Sequence, residues 1–254
     1  MNEIYAILIV IHTLNGLLLL LTGSSILRKD FDSLTNRLFA LAIFSLMFFF
    51  FFSVGIEWSK SNFIDNINYF NIDNLELANN FRDLATIGAS FAPLFFLLSA
   101  IAVSRGDAWF ENKTKLIIIG IGELLVLIYG LIDDHMIVAP DNTGIVSSMG
   151  FGGTLVQHIL PLIFCVSALV LFSQVIFSTN DEFLKKKVTF LIVGIILFLS
   201  SASYFAFFSI MGWIETTVSV VVGHIPNTLA CITIFYTFLL LKSKESKSLE
   251  NNQE

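Results

Sequence analysis

The sequence predicts an all-α, polytopic membrane protein built as a seven-transmembrane-helix bundle, and three observations carry that prediction. Hydrophobic residues fill 56% of the 254 positions, with 27 Phe and a mean hydropathy of +0.82, far from soluble globular usage. Apolar stretches near the length of about 20 residues that crosses a bilayer as helix occur seven times. The basic residues gather in alternate connections, a bias that sets the orientation of a spanning chain.

The first stretch covers roughly 4 to 27; its start, "MNEIYAILIV", has no basic leader and the run outlasts a signal core, which predicts a retained helix. The second, 38 to 57, is rich in Phe and precedes the longest connection, "WSKSNFIDNINYFNIDNLELANNFRD", whose last third can begin helix 3 early as an outer cap. The third spans 84 to 104, and the fourth, 116 to 132, is short and extends toward Asp133. After it, "DDHMIVAPDNTGIVSSMGFGG" predicts a turn at Pro140 to Gly144 and flexible glycines before the fifth span, 154 to 178. The sixth and seventh cover 188 to 212 and 217 to 241, and residues 242–254 form a short polar cytoplasmic tail in which no folded output domain is expected.

Pro93, Pro161 and Pro226 fall in helices 3, 5 and 7, where each frees a backbone carbonyl and can kink its helix. "GAS" at 88 to 90 and "SSAS" at 200 to 203 read as close helix contacts. Trp58, Trp109 and Trp213 stand at expected helix ends, as an interfacial belt places them. Cys165 and Cys231 lie within spans and read as small apolar groups, with no disulfide framework or zinc spacing around them.

Basic residues are retained on the cytoplasmic side during insertion. Arg28, Lys29 and Arg37 follow helix 1, Arg105, Lys113 and Lys115 follow helix 3, Lys185 to Lys187 follow helix 5, and Lys242, Lys244 and Lys247 follow helix 7. Of 14 basic residues, only Lys60 and Arg82 fall elsewhere, in the connection after helix 2. The N-terminus is therefore expected outside and the C-terminus in the cytoplasm, in the cell (plasma) membrane. The outer side is acidic, with Glu3, Glu57, Asp65, Asp73, Glu76, Asp83, Asp133, Asp134, Asp141 and Glu215; such a face attracts cations, but the solubility of the loops is the preferred account of it over a dedicated cation site.

Polar groups inside hydrocarbon are costly and so mark candidate sites. The spans contain His12 and Asn15 in helix 1, Glu123 in helix 4, Gln157 and His158 in helix 5, and His224 and Asn227 in helix 7, with no Lys or Arg in any of them. At a rise of about 1.5 Å per residue, His12 and His224 lie roughly 10 to 12 Å below the outer edge and Glu123 about 13 Å. His158 is shallower. Four ionisable groups on four helices thus share the outer leaflet, which predicts a pocket open to the outside and closed below by Phe and Leu. Residues three apart share a helix face, so each His points with its Asn, and the two pairs meet if helices 1 and 7 are neighbours. The competing reading is that these groups only hydrogen-bond across helices as packing. Glu123 needs a partner, water or a proton at that depth, and His158 or a neighbouring His is its expected partner.

Several seven-helix chemistries fail on residues. A retinal Schiff base needs a lysine in helix 7, where the first lysine is Lys242, beyond the span. Intramembrane zinc hydrolases need two His on one helix, and no helix has two. A bis-His haem site from His12 and His224 stays open, as does a metal site drawing on His12, His158, His224 and Glu123.

"LATIGASFAPLFFLLSAIAVSRGDAW", with Gly88, Pro93 and Trp109, resembles the third helix and following loop of the seven-helix N-terminal sensor region of many prokaryotic histidine kinases. "GFGGTLVQHILPLIFCVSALVLFSQVIFS" and "DEFLKKK" look like that region's fifth helix and the basic loop after it, with His158 where a His often stands. Helix 6 departs from the pattern, with "KKKVTFLIVG" and "FLSSASYF" in place of the expected Gln and Pro, and the kinase portion is absent. The resemblance implies a receptor-like or sensory membrane protein that works through its outer-leaflet pocket and passes its signal to a separate cytoplasmic or membrane partner; the candidate ligand-binding residues, read from the polar groups of the spans, are His12, Asn15, Glu123, His158, His224 and Asn227, and whether the protein is an enzyme stays open. A metal- or haem-binding protein serving redox chemistry or transport is the alternative. Apart from the lipid bilayer and such a partner no association is implied; nothing points to nucleic acid, and no cofactor is required by the first reading.

Overall fold

In a computed structural model the described residues are 3–65, 72–138, 145–211 and 217–240. They form helices α1 (Glu3–Lys29), α2 (Leu34–Asp65), α3 (Ile72–Arg105) and α4 (Lys113–Asp133), with a short 3-10 helix at Asp107–Glu111 before α4. A hairpin of β1 (Asp134–Val138) and β2 (Ile145–Met149) follows, then α5 (Phe151–Thr154), a π-helical turn at Leu155–Ile159, and α6 (Leu160–Ser178). The chain continues as α7 (Glu182–Met211) and α8 (Thr217–Phe235), which ends in a second π-helical turn at Tyr236–Leu240.

Seven of these, α1 to α4 and α6 to α8, are long and apolar enough to cross a membrane. Their large apolar side chains point outward as well as inward: Ile118, Leu125, Val170 and Phe177 are exposed. That coat suits lipid and not water, and the chain is an integral membrane protein. The turns between spans are built by polar side chains. Asp30 accepts the backbone N–H groups of Asp32 and Ser33 between α1 and α2, and Asp181 accepts those of Phe183 and Leu184 at the start of α7. Gly106, with φ 74°, ends α3 in the left-handed region where a side chain is disfavoured.

The helices pack in sequence as α1 on α2, α2 on α3, α3 on α6, α6 on α7 and α7 on α8, and α1 closes the ring against α8. α4 lies outside this ring, held by α5, the first π turn and a slight contact with α3. Leu19, Ile43, Phe50, Phe172, Ile195 and Ile234 fill the centre, with Phe39 stacked on Phe172 at 6.0 Å between ring centroids. Gly88 lets α3 approach α2 most closely: a Cβ there would stand 2.6 Å from the Ser45 carbonyl oxygen.

Three expectations need correction. α2 continues past residue 57 to Asp65 and α3 starts at Ile72, so Lys60 and Arg82 are helical and not in a connection. Lys60 and Arg82 stand on helical extensions beyond the spans expected at 38 to 57 and 84 to 104. On the continuing helix Lys60 pairs with Glu57, one turn earlier, at 3.2 Å. The segment after α4 is an antiparallel hairpin, with Asp134 opposite Met149 and Val138 opposite Ile145; the turn expected at Pro140 to Gly144 lies outside the described residues, as do Trp213 and the tail at 242–254. Trp58 is inside α2, and Trp109 sits in the 3-10 helix.

Candidate functional site

His12 occupies the middle of the α1 face that turns inward with Leu8, Asn15 and Leu19, and it is 1% exposed. His224 stands on α8, half-buried, and the two imidazoles meet edge to face with ring centroids 4.6 Å apart. Helices α1 and α8 are therefore neighbours at this level. Asn15, one turn along α1, donates from Nδ2 to the Thr228 hydroxyl of α8 at 3.2 Å, and Thr228 donates back to the His224 carbonyl at 3.3 Å. Asn227 is buried on the same helix. Phe50 of α2 lies 5.8 Å from the His12 ring, and Phe205 of α7 lies 4.9 Å from that of His224.

Glu57 and Lys60 of α2 pair with each other at 3.2 Å, and their charges act on His224 through space, as that of Lys60 does on His12. Tyr5, nearly two turns before His12, is within range of Glu57. Three helices, α1, α2 and α8, thus contribute polar side chains to this part of the bundle, and α7 adds the Phe205 ring. Several polar atoms here are not satisfied: His12 Nδ1, His224 Nδ1 and Asn15 Oδ1 are buried with no hydrogen-bond partner. Each such group costs about 1–3 kcal/mol unless a ligand or water meets it. The cluster can offer two imidazoles and a carboxamide oxygen to a small hydrogen-bonding molecule.

Glu123 does not join this cluster. It is buried on α4, outside the helix ring, and accepts a hydrogen bond from the Ser90 hydroxyl of α3. The partner expected for it was a histidine; the side chain that meets it is a serine from the "GAS" stretch. His158 lies in the π turn before α6, on the α3 and α4 side of the fold and remote in the chain order of packing from α1 and α8. The single pocket expected from four ionisable groups is thus two separate polar sites, because α3 and α2 intervene between α4 and α1.

A haem iron held by two imidazole nitrogens at about 2 Å each would part the ring centroids by about 6 Å and place a macrocycle between them. Rings in edge contact at 4.6 Å leave no such space. Among the described residues, no three or more His, Cys, Asp or Glu side chains stand close enough to share a metal ion. The residues present do not fit the haem or the four-ligand metal site that the sequence left open.

Tyr5, Glu57, Lys60, Ser90 and Thr228 were missed by sequence reasoning. Glu57 and Lys60 had a signal: in "EWSKS" they are three residues apart, the spacing of an ion pair on a continuing helix. Ser90 and Thr228 had none, because hydroxyls in spans commonly bond their own helix, as Thr13, Ser53 and Ser173 do here. No protein-family model and no curated protein matches this chain.

Proposed function

We propose that this integral membrane protein is a receptor-like sensor that reads a small polar ligand at the His12–His224 cluster and passes the change to a separate partner. The observation that supports it most is the pair of buried imidazoles facing each other with unpartnered Nδ1 atoms. A molecule bridging them recovers the cost of those groups, and it acts on α1 and α8 together. α8 is built to respond, since Pro226 sits two residues from His224 and removes a helical hydrogen bond there. The likeness of helices 3 and 5 to kinase sensor regions supports a sensory role, and the charge bias supports an outside N-terminus in the cell membrane, with the response delivered at the basic, cytoplasmic end.

The test is a small-molecule thermal-shift screen on the detergent-purified protein, wild type beside His12→Ala, His224→Ala and the double variant. A stabilising ligand whose effect is lost equally in both single variants, with little further loss in the double, is expected of one site. Strictly additive stability losses with no responsive ligand would return the cluster to packing.

A further inference from the structure

The carboxamide of Asn15 is held in one orientation. Its Nδ2 donates to the Thr228 hydroxyl oxygen at 3.2 Å, and Thr228 spends its own hydrogen on the His224 carbonyl at 3.3 Å. A hydroxyl has one hydrogen, so toward Asn15 the Thr228 oxygen can only accept, and the amide must turn its NH2 to α8. Oδ1 is thereby the free end, buried and without a partner. The Nδ1 atoms of His12 and His224 are buried and unmet as well.

These three atoms make different demands on a ligand. An imidazole presents an N–H or a lone pair at Nδ1 according to its tautomer, so it adapts to what arrives. A carboxamide oxygen only accepts. Asn15 therefore decides the chemistry. We propose that the ligand of the His12–His224 site is an uncharged molecule presenting an N–H or O–H donor, as a primary amide or hydroxyl group on an apolar body; this rests on the sensor reading and narrows its ligand. A molecule with lone pairs alone, such as a carboxylate or an ester, would set them against Oδ1 and leave that atom unmet.

Size and charge follow from the surroundings. His12 and Asn15 are about 4.5 Å apart along α1, the two imidazoles touch at 4.6 Å, and Asn15 contacts Thr228 one turn from His224. One polar group of a few atoms suits that spacing. The rest of the ligand meets rings, with Phe50 5.8 Å from His12 and Phe205 4.9 Å from His224. The Glu57 and Lys60 charges that act on the imidazoles are spent on each other at 3.2 Å. An ion brought into a span without a counter-charge is costly, which favours an uncharged ligand.

Isothermal titration calorimetry of the full chain in detergent, with empty micelles as blank, tests this with matched probes. Benzamide and benzyl alcohol carry a donor, methyl benzoate has none, benzoate is an anion and benzylammonium a cation. Benzamide or benzyl alcohol is expected to bind about tenfold or more tightly than the other three, the effect of one hydrogen bond and an unmet acceptor. Asn15→Leu should abolish that preference. Thr228→Val, which releases the carboxamide to turn its NH2 to the ligand, should bring methyl benzoate level with benzamide, a change that a packing role for Thr228 would not produce. Circular dichroism and elution volume establish that each variant is folded. Methyl benzoate or benzoate bound as tightly as benzamide, and lost in His12→Ala and His224→Ala, would overturn the donor requirement and leave the sensor reading standing. Tighter benzylammonium binding would overturn the uncharged class. If none of the probes binds while another molecule stabilises the protein through both histidines, the class alone fails; if nothing binds there, the sensor reading fails with it.

Discussion

Glu123 shows how one residue constrains a fold: a carboxyl on an outlying, lipid-facing helix is accommodated because Ser90 of α3 reaches it. Ser90→Ala should lower stability by about 1–3 kcal/mol, the cost of a buried acceptor left without its donor. In a Glu123→Leu background the same change should cost much less, and the cycle should give a coupling of at least about 0.5 kcal/mol by denaturant titration in mixed micelles; additive losses would mean that the two groups do not meet. Glycines offer a complementary test. A methyl at Gly88 would stand 2.6 Å from the Ser45 carbonyl oxygen and 2.8 Å from the Phe49 amide nitrogen, both backbone atoms that cannot rotate away. Gly88→Ala should therefore cost about 1–3 kcal/mol by overpacking. At Gly120, where a Cβ meets nothing within 4 Å, the same substitution should leave the melting temperature unchanged or raise it, since alanine is the better helix former by about 1 kcal/mol.

At the scale of elements, the closure of α1 on α8 makes the site. Asn15 and Thr228 touch across that seam at 3.2 Å, so Asn15→Cys with Thr228→Cys, in a chain whose Cys165 and Cys231 are replaced by Ala, should form a disulfide under mild oxidation. A gel-shift assay reads it, and failure to cross-link would mean that α1 is not seated on α8. At the α7–α8 seam the Ser201 hydroxyl donates to the Gly223 carbonyl at 2.7 Å. The acceptor is next to the Val222 carbonyl that Pro226 leaves without its helical donor, so α8 is weakened as a helix and supported by a neighbour at the same point. The "SSAS" stretch is thus both a close contact and a hydrogen-bond donor. Likewise, Pro161 enters α6 just after the π turn that carries His158; a proline that cannot donate and a widened turn occur together.

For the whole molecule, alternating helices place the hairpin and Gly150 at one end and the α6–α7 connection at the other. Ser147→Cys in β2 should react with an impermeant maleimide added outside intact cells, and Asn180→Cys only after the membrane is opened. The reverse pattern would invert the topology drawn from the basic residues.

The sequence alone determined that the chain lives in a membrane, that it crosses seven times and that His12, Glu123 and His224 lie within spans, because hydrophobicity adds locally along a chain and each helix satisfies its own backbone. It also placed each His and Asn on a shared face, since helical periodicity needs no tertiary knowledge. Only the tertiary structure decided which polar groups meet. His12 finds His224 while Glu123 finds Ser90, and that depends on the order and rotation of the helices, set by close approaches such as Gly88 on α2 that no local pattern displays. The end of α2 was decided in the same way: the helix continues through Lys60, which pairs with Glu57 one turn earlier, where a residue-by-residue hydropathy places a connection.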